Sequence, residues 1–510
     1  MAPKIRIYRS GELICETEGV AGETLLARIS AAGVFLDAPC GGQGKCGKCL
    51  VRLEPEGRQT PACRTTVDGD ADVYLPDDMD MRIADEGAAV DPATLIRTPA
   101  GAKLGVAIDI GTTTVVAHLT DIGTGARIAT ASGVNAQRIY GADVISRIQY
   151  CADNGHEPLT SLIRGQLSSL MRETCEASGA RMEDIGYVSI AANTIMEHLA
   201  AGYSPVGMGV VPFTPVSLFG EELTEAEDLR VSKDAIVYYA PAISSYVGGD
   251  ITAGMLAAGL ENMHGPVVYL DIGTNGEIAM KTGDRYICCA TAAGPAFEGA
   301  EISMGMAAVS GAINHVKWDN GLQVSVIGDV PPRGLCGSGL LDALAVLLDT
   351  GAVDETGRML DAEEIDHDIS AHIISDGGKN VFRLTTEGGG VSMSASDVRK
   401  LQLAKSAIAA GIQTLLRHEG IGEDAVKAFV LAGGFGSFMD QFSAARIGLF
   451  PKSFLRVAQT LGNTAGEGAA IALCSGSARA TLNDIRSRCE YIELSTSPVF
   501  NEQFVEQMMF

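Results

Sequence analysis

The chain is poor in positive charge. Only 38 Lys and Arg stand against 63 Asp and Glu in 510 residues, a formal charge of −25. Nucleic acid and anionic membrane both select basic surface, so neither is expected as a partner. Long apolar runs are also missing: no stretch reaches about 18 consecutive apolar residues, the length that suggests a membrane-spanning helix. The opening MAPKIRIYRSGELICETEG is too charged for a secretory signal. Together these absences point to the cytoplasm. In that reducing compartment the 12 Cys read as metal ligands or buried thiols rather than disulfides. What remains is an ordinary globular composition, 46% hydrophobic and 20% charged, with 61 Gly suited to many tight turns and length for two to four domains.

Within it, one segment occurs twice. Residues 105–117 (GVAIDIGTTTVVA) and 267–279 (VVYLDIGTNGEIA) each place Asp-Ile-Gly-Thr between two β-rich apolar runs. The offset of 162 residues is too long for a solenoid and fits a duplicated α/β lobe. Asp109 and Asp271 end buried strands, where a carboxylate can hold hydrated Mg²⁺. Gly111 and Gly273 allow a tight turn and close approach of a ligand. Thr112, Thr113, Thr114 and Thr274 add hydroxyls beside exposed N–H groups, and the neighbouring Asn275 extends the second loop. Either loop alone reads equally well as an ordinary turn; two aligned copies favour a pair that clamps a polyphosphate.

The densest chemistry comes first in the chain. Cys40, Cys46, Cys49 and Cys63 are spaced C-x5-C-x2-C-x13-C, with a Gly-rich loop between the first two. Structural zinc is the main alternative, but zinc usually takes two paired CxxC knuckles and has no use for a Gly-Gly-x-Gly loop. A 2Fe–2S cluster suits four thiolates on a loop whose backbone can fold over inorganic sulfide. The stretch resembles a ferredoxin-like β-grasp domain, of the kind built into larger enzymes rather than the plant type. Around it, residues 3–20 alternate as a hairpin turning at Ser10-Gly11, and Glu23–Ala32 reads as a short helix. Lys45, Lys48, Arg52 and Arg64 ring the cysteines, either as a docking face or as solvated charge. Residues 77–103 are acidic, Ala-rich and Pro-punctuated, and read as a linker.

Several later stretches join a strand to a helix through small residues. Asn193-Thr194 at a helix start could reach the nucleotide, whereas the nearby His198 reads as structural. Asp250, after Gly248-Gly249, is either a helix cap or a carboxylate on the Mg²⁺ or water side. The adjacent Cys288 and Cys289 point to opposite faces of a strand and read as buried thiols. Gly433, Gly434, Gly436 and Ser437 form a turn after an apolar strand, able to take adenosine on bare backbone. Residues 463–472 open a helix whose small side chains permit close packing at a hinge.

The two Asp-Ile-Gly-Thr loops, the Gly-Gly-Phe-Gly turn and the closing small-residue helix resemble the acetate kinase/sugar kinase/Hsp70/actin (ASKHA) superfamily. A ferredoxin-like domain fused to such an ATPase resembles the reductive activators of corrinoid-dependent methyltransferases (RACE proteins). Asn193–Leu199, Asp271–Glu277, Gly334–Gly339, Asp397–Lys405 and the tail from Tyr491 to Phe510 carry that resemblance. It implies an α/β fold: a 2Fe–2S ferredoxin-type domain at 1–76, the linker at 77–103, a first actin-like (ribonuclease H-like) ATPase lobe at 104–265, and a second lobe with C-terminal tail at 266–510. Many such activators carry a further module after the cluster domain, for which the linker leaves no room.

The implied activity is transfer of one electron to an inactive Co(II) corrinoid protein, restoring Co(I), at the expense of ATP. A gap of ~200 mV costs roughly 5 kcal/mol for one electron, close to the ~5.5 kcal/mol that flips a two-state equilibrium from 1:99 to 99:1. The implied roles are Mg²⁺-bound water at Asp109 and Asp271, phosphate at the Gly-Thr backbones and adenosine at Gly433–Ser437, with Glu277 and Asp250 as candidates to orient the attacking water. Partners are a corrinoid protein of a methyltransferase system and an upstream electron donor, with room for a homodimer. The competing readings are an ATP-gated donor to another low-potential metalloenzyme, a small-molecule kinase with a redox-sensing domain, and an actin-like scaffold.

Overall fold

A computed structural model describes residues 2–76 and 103–510, apart from positions 21, 33, 35, 37, 39–41, 43, 45–48, 55–56, 224–228, 230, 295, 300, 329, 387–389 and 437. The linker at 77–102 therefore lies outside the described residues.

Alternating apolar residues build the N-terminal sheet. β1 (Lys4–Arg9) and β2 (Glu12–Glu18) form an antiparallel hairpin whose turn has Ser10 and Gly11 at φ 52° and 83°. Positive φ at both central residues suits the right-handed twist of a hairpin, which is why Ser-Gly serves there. Helix α1 (Leu25–Ala31), capped by the Thr24 hydroxyl, follows. With β3 (Leu50–Glu54), β4 (Arg58–Pro61) and β5 (Ala71–Tyr74) the sheet order is β2-β1-β5-β3-β4. Ile5, Ile7, Ile29, Val51 and Val73 fill its core, and Cys49 and Cys63 belong to the same cluster.

The next sheet is built from β6 (Leu104–Ile110), β7 (Thr114–Asp121), β8 (Ala126–Val134), β9 (Ile185–Ala192), β10 (Glu222–Leu223) and β11 (Ile236–Tyr239). Its helices are α2 (Val144–Asn154), α3 (Glu157–Ser178), α4 (Thr194–Ala201) and α5 (Gly249–Ala257). The strand order is β10-β11-β9-β6-β7-β8, with β6-β7-β8 antiparallel and β9 and β11 parallel to β6.

The same plan recurs in β12 (Val267–Ile272), β13 (Gly276–Thr282) and β14 (Arg285–Thr291). An insertion follows, with one small sheet from β15 (Ala312–Trp318), β16 (Leu322–Val326) and β17 (Gly334–Leu335). Helix α6 (Gly337–Asp349) leads to a second small sheet from β18 (Ile373–Asp376), β19 (Lys379–Arg383) and β20 (Ser392–Ser394). Then come α7 (Ala395–Glu419), β21 (Ala428–Ala432), α8 (Gly433–Gly436), α9 (Gln441–Arg446) and β22 (Ala458–Thr460). The chain continues through α10 (Thr464–Cys474), α11 (Gly476–Ser487), β23 (Cys489–Tyr491) and α12 (Pro498–Glu506). The second large sheet runs β22-β21-β12-β13-β14-β23, so three antiparallel strands again adjoin two parallel ones in the duplicate order.

Packing does not follow the chain order at the junction. Ile251 and Met255 of α5 pack with Val267, Tyr269 and Val430 of the second sheet. Ala465, Ala469 and Leu473 of α10 pack with Ala107, Tyr187 and Tyr238 of the first. Where these exchanged helices cross, a Cβ on Gly468 would collide with the Ala253 backbone. The closing helix reads in sequence as one of close packing for this reason: only a bare backbone fits. On the other face of the second sheet, Cys289 joins the core under α7 while Cys288 faces α5. Both thiols are buried, as the alternation of a strand requires.

Candidate functional site

Both Asp-Ile-Gly-Thr segments form the tips of strand pairs, β6–β7 and β12–β13. The two tips meet. Thr113 Oγ1 lies 3.5 Å from Thr274 Oγ1, and both hydroxyls donate to one carboxylate, Glu298, at 3.0 and 2.9 Å. Sequence reasoning assigned Glu298 no role, since nothing local marks a residue that acts on loops so distant in the chain.

Four carboxylates lie behind the loops. Burial pushes Asp109 up to about 7, moderated by a hydrogen bond from Asn463 and reinforced by the charge of Asp271. Asp271 rises to about 6 through burial, opposed by a bond from Tyr269, whose hydroxyl also lies 2.8 Å from Thr464 Oγ1. Asp250, in the first turn of α5, rises to about 8 through burial and then the charges of Asp271 and Asp109. Glu277 sits directly across the strand pair from Asp271 and is held well above the usual range by burial, then by Asp250 and Asp271. The structure thus brings Asp109, Asp250, Asp271 and Glu277 into one acidic group. Such a group is costly without a cation and is well suited to one: Mg²⁺ keeps most of its waters and is held through one or two carboxylates plus phosphates. Among the described residues no set of three or more His, Cys, Asp or Glu side chains forms a direct metal cage.

The first loop is braced from beneath. Asn135 Nδ2 donates to Gly111 O at 2.8 Å, and Asn193, the cap of α4, donates to Thr112 Oγ1 at 3.1 Å. The fully buried Arg147 donates to Thr112 O at 2.5 Å, Gly141 O at 3.0 Å and Gln137 Oε1 at 3.3 Å. All three acceptors are neutral, and burial lowers this guanidinium to about 9. A short-range signal existed only for Asn193, as a helix cap. The second loop is braced by its own turn, Gly273 N to Asn275 O at 2.9 Å. Asn275 itself bonds Glu277 rather than standing free beside Thr274.

The Gly-Gly-Phe-Gly turn follows β21. Gly433 has φ 86°, and a Cβ there would lie 2.5 Å from Asp271 Oδ1, so the turn presses against the second loop. Gly434 has open space on its Cβ side, and Phe435 stacks on Phe297 at 5.5 Å. Ser437 lies outside the described residues. The turn at Gly337 adjoins the same place, since its Cβ would strike Phe297 O and the Phe435 ring. His198 is structural: its Nδ1 donates to Thr194 O, its Nε2 accepts from Val216 and Ser217 N–H groups, and burial lowers it to about 4.

Of the four candidate cluster cysteines, Cys40 and Cys46 lie outside the described residues, as do Lys45 and Lys48. Cys49 and Cys63 are buried, just before β3 and just after β4. Two glycines between Cys40 and Cys46 are described: a Cβ on Gly42 would lie 4.0 Å from Cys63 Cβ, and Arg64 donates to Gly44 O. A glycine seated beside Cys63 leaves room for backbone to approach that thiol closely. Arg52 stacks on Tyr74 and pairs with Glu54 at 3.0 Å, so it is engaged within the sheet.

Duplicated sheets, facing loops and an acidic group between them define a two-lobed ASKHA-type ATPase, joined here to a cysteine-bearing β-grasp sheet. Residues 104–263 match the family model described as the RACo middle region, and 266–510 the C-terminal ASKHA domain of RACo. The corrinoid activation enzyme RamQ of Eubacterium limosum is 31% identical over 589 residues, covering 98% of each chain. The [Co(II) methylated amine-specific corrinoid protein] reductase of Methanosarcina barkeri is 25% identical over 453 residues, covering 80% of this chain and 77% of its own. A solved reductive activator for corrinoid, iron-sulfur protein is 28% identical, with a TM-score of 0.72 over 100% of this chain and 98% of that one. The chain belongs to the RACo family.

Proposed function

We propose that the protein is an ATP-dependent reductive activator: it takes one electron from an upstream donor and passes it to a partner's Co(II) corrinoid, leaving Co(I) ready for methyl transfer. The observation that carries the nucleotide half is the meeting of Thr113 and Thr274 through Glu298, which joins both phosphate loops across one cleft. The electron half rests on the cysteine spacing, on Gly42 beside Cys63, and on relatives named for corrinoid activation and reduction.

In this reading Cys40, Cys46, Cys49 and Cys63 hold a 2Fe–2S cluster, which supplies a one-electron store when bound. Gly111, Thr112, Thr113, Gly273 and Thr274 take the phosphates, with Asn275 fixing Glu277. Asp109 and Asp271 hold Mg²⁺ through its waters. Asp250 and Glu277, both raised by burial and then by neighbouring carboxylates, are suited to orient or accept a proton from the attacking water. Gly433, Gly434, Gly436 and Ser437 receive adenosine. Closure of the lobes changes the crossing of α5 on α10, and that movement gates contact with the partner. The reading places the protein in the cytoplasm and allows a homodimer. Among the described residues no helix is long and apolar enough to cross a membrane.

An anaerobic optical titration tests this. A Co(II) corrinoid protein is mixed with reductant and this protein, with and without Mg·ATP. Growth of a Co(I) band only with ATP is expected. Equal growth without nucleotide removes the ATPase from the mechanism.

A further inference from the structure

Glu298 belongs to none of the roles assigned above, yet it bridges the two phosphate loops. Its two carboxylate oxygens each accept a hydroxyl proton, Oε2 from Thr113 and Oε1 from Thr274. Those hydroxyls sit one on each phosphate loop, where a tetrahedral anion between the lobes would be met. Beneath the first loop, Arg147 is a buried cation whose hydrogen bonds reach only neutral acceptors, and the charge of Glu298 is among those acting on it. An anion held by two loop hydroxyls in the field of a buried guanidinium describes a bound phosphate as well as it describes this carboxylate.

Glycine turns flank the residue. Gly294 and Gly299 have φ 74° and 72°, conformations that only glycine adopts cheaply, on either side of Glu298. Phe297, next to it, is buried and stacks on Phe435 of the adenosine turn at 5.5 Å and 17°. One short segment therefore touches the phosphate end of the cleft through Glu298 and its adenosine end through Phe297.

We propose that Glu298 is an internal stand-in for the terminal phosphate of ATP, tying the two loops together when no nucleotide is bound and yielding its hydroxyl partners when ATP enters. The proposal rests on the assignment of the cleft to ATP. Two anions cannot share the pair of hydroxyls at close range, so the terminal phosphate expels the carboxylate, and the Phe297–Phe435 stack carries that shift to the adenosine turn. AMP, which has no terminal phosphate to place there, leaves Glu298 seated. The residue thereby sets discrimination between ATP and AMP, and its release marks the triphosphate state.

Isothermal titration of the full chain with Mg·ATP and with AMP tests this in wild type, Glu298→Ala and Glu298→Gln. The expected result is ATP binding tighter on the order of tenfold in Glu298→Ala and AMP binding unchanged. Glu298→Gln keeps an oxygen for a threonine hydroxyl but loses the charge, so it should fall between the two. ATP binding that is unchanged or weaker in folded Glu298→Ala and Glu298→Gln overturns the proposal and makes the residue a structural bridge or a nucleotide ligand. A wild type blind to ATP whose Glu298→Ala variant binds it would keep the stand-in while removing ATP-driven activation. Equal ATP affinity in wild type and both variants, with ATP-dependent Co(I) formation intact, would do the reverse.

Discussion

The two Asp-Ile-Gly-Thr loops share a backbone plan and differ in what lies behind them. The first has Asp109, with Arg147, Asn135 and Asn193 donating to its turn from below. The second has Asp271 opposite Glu277, with Asp250 near by and the Gly433 turn pressed against it. Duplication supplied one hairpin twice, and the surroundings gave the copies opposite electrostatics. The first is a donor-rich cradle suited to the phosphate chain, and the second an acidic wall suited to attacking water, with Asp109 and Asp271 together suited to hydrated Mg²⁺. A cleft made of two identical loops would repel either the metal or the phosphate.

The largest expected effect breaks the acidic wall. Asp271→Ala should cost ATP hydrolysis on the order of a hundredfold or more, because a preorganised charge at the reacting phosphate is lost. A steady-state phosphate-release assay reads it, and activity within threefold of wild type would show that the second loop is not the metal side. The cradle is tested by Arg147→Met, which keeps much of the volume and removes the cation. ATP affinity should fall about tenfold, the scale of a lost charge-assisted bond, with a loss of thermal stability from the unsatisfied carbonyls of Thr112 and Gly141. If nucleotide titration shows unchanged affinity, the guanidinium braces the fold and nothing more.

The hinge between the loops gives a smaller effect. Gly468→Val sets a branched side chain against the Ala253 backbone at the α5–α10 crossing, and overpacking of this kind costs about 1–3 kcal/mol. Denaturant unfolding measures the loss, while hydrolysis should fall further than stability alone explains.

The smallest effect concerns pH. Asp109, Asp250 and Asp271 have folded values of about 7, 8 and 6, all above the unfolded value of 3.8. The folded chain then holds protons that the unfolded chain has released, so these groups favour folding at low pH and that contribution fades as pH rises from about 4 to about 8. Without ligand the melting temperature should decline across this range. Mg·ATP brings a cation that favours the ionised carboxylates, so its stabilising shift should grow as pH rises from 6 to 8. A ligand shift that is flat with pH would mean that the carboxylates do not face the metal.

The loops were legible in sequence because every feature they need is local: strand alternation, Asp at the strand end, glycine at the turn, repeated at fixed distance. The hairpin at Ser10-Gly11, the Asn193 cap and the alternate facing of Cys288 and Cys289 were legible for the same reason. Glu298 was not, since its partner Thr113 lies 185 residues away and no periodicity marks it. Asn463 reads as the start of a small-residue helix, and only the fold turns its amide toward Asp109. Arg147 reads as a helix residue, and its burial beneath Thr112 depends on how α2 meets the first loop. The exchange of α5 and α10 between sheets is likewise a property of tertiary packing, since both helices are rich in small residues on every side.

The account holds that electron delivery and nucleotide turnover are separate sites coupled in one chain. Parallel assays of Co(I) formation and ATP binding in Cys46→Ser and Asp271→Ala test that most directly. Cys46→Ser should bind ATP normally and form no Co(I), while Asp271→Ala should retain a reducible N-terminal domain and lose ATP-dependent Co(I) formation. Co(I) formation by Cys46→Ser at the wild-type rate would contradict it.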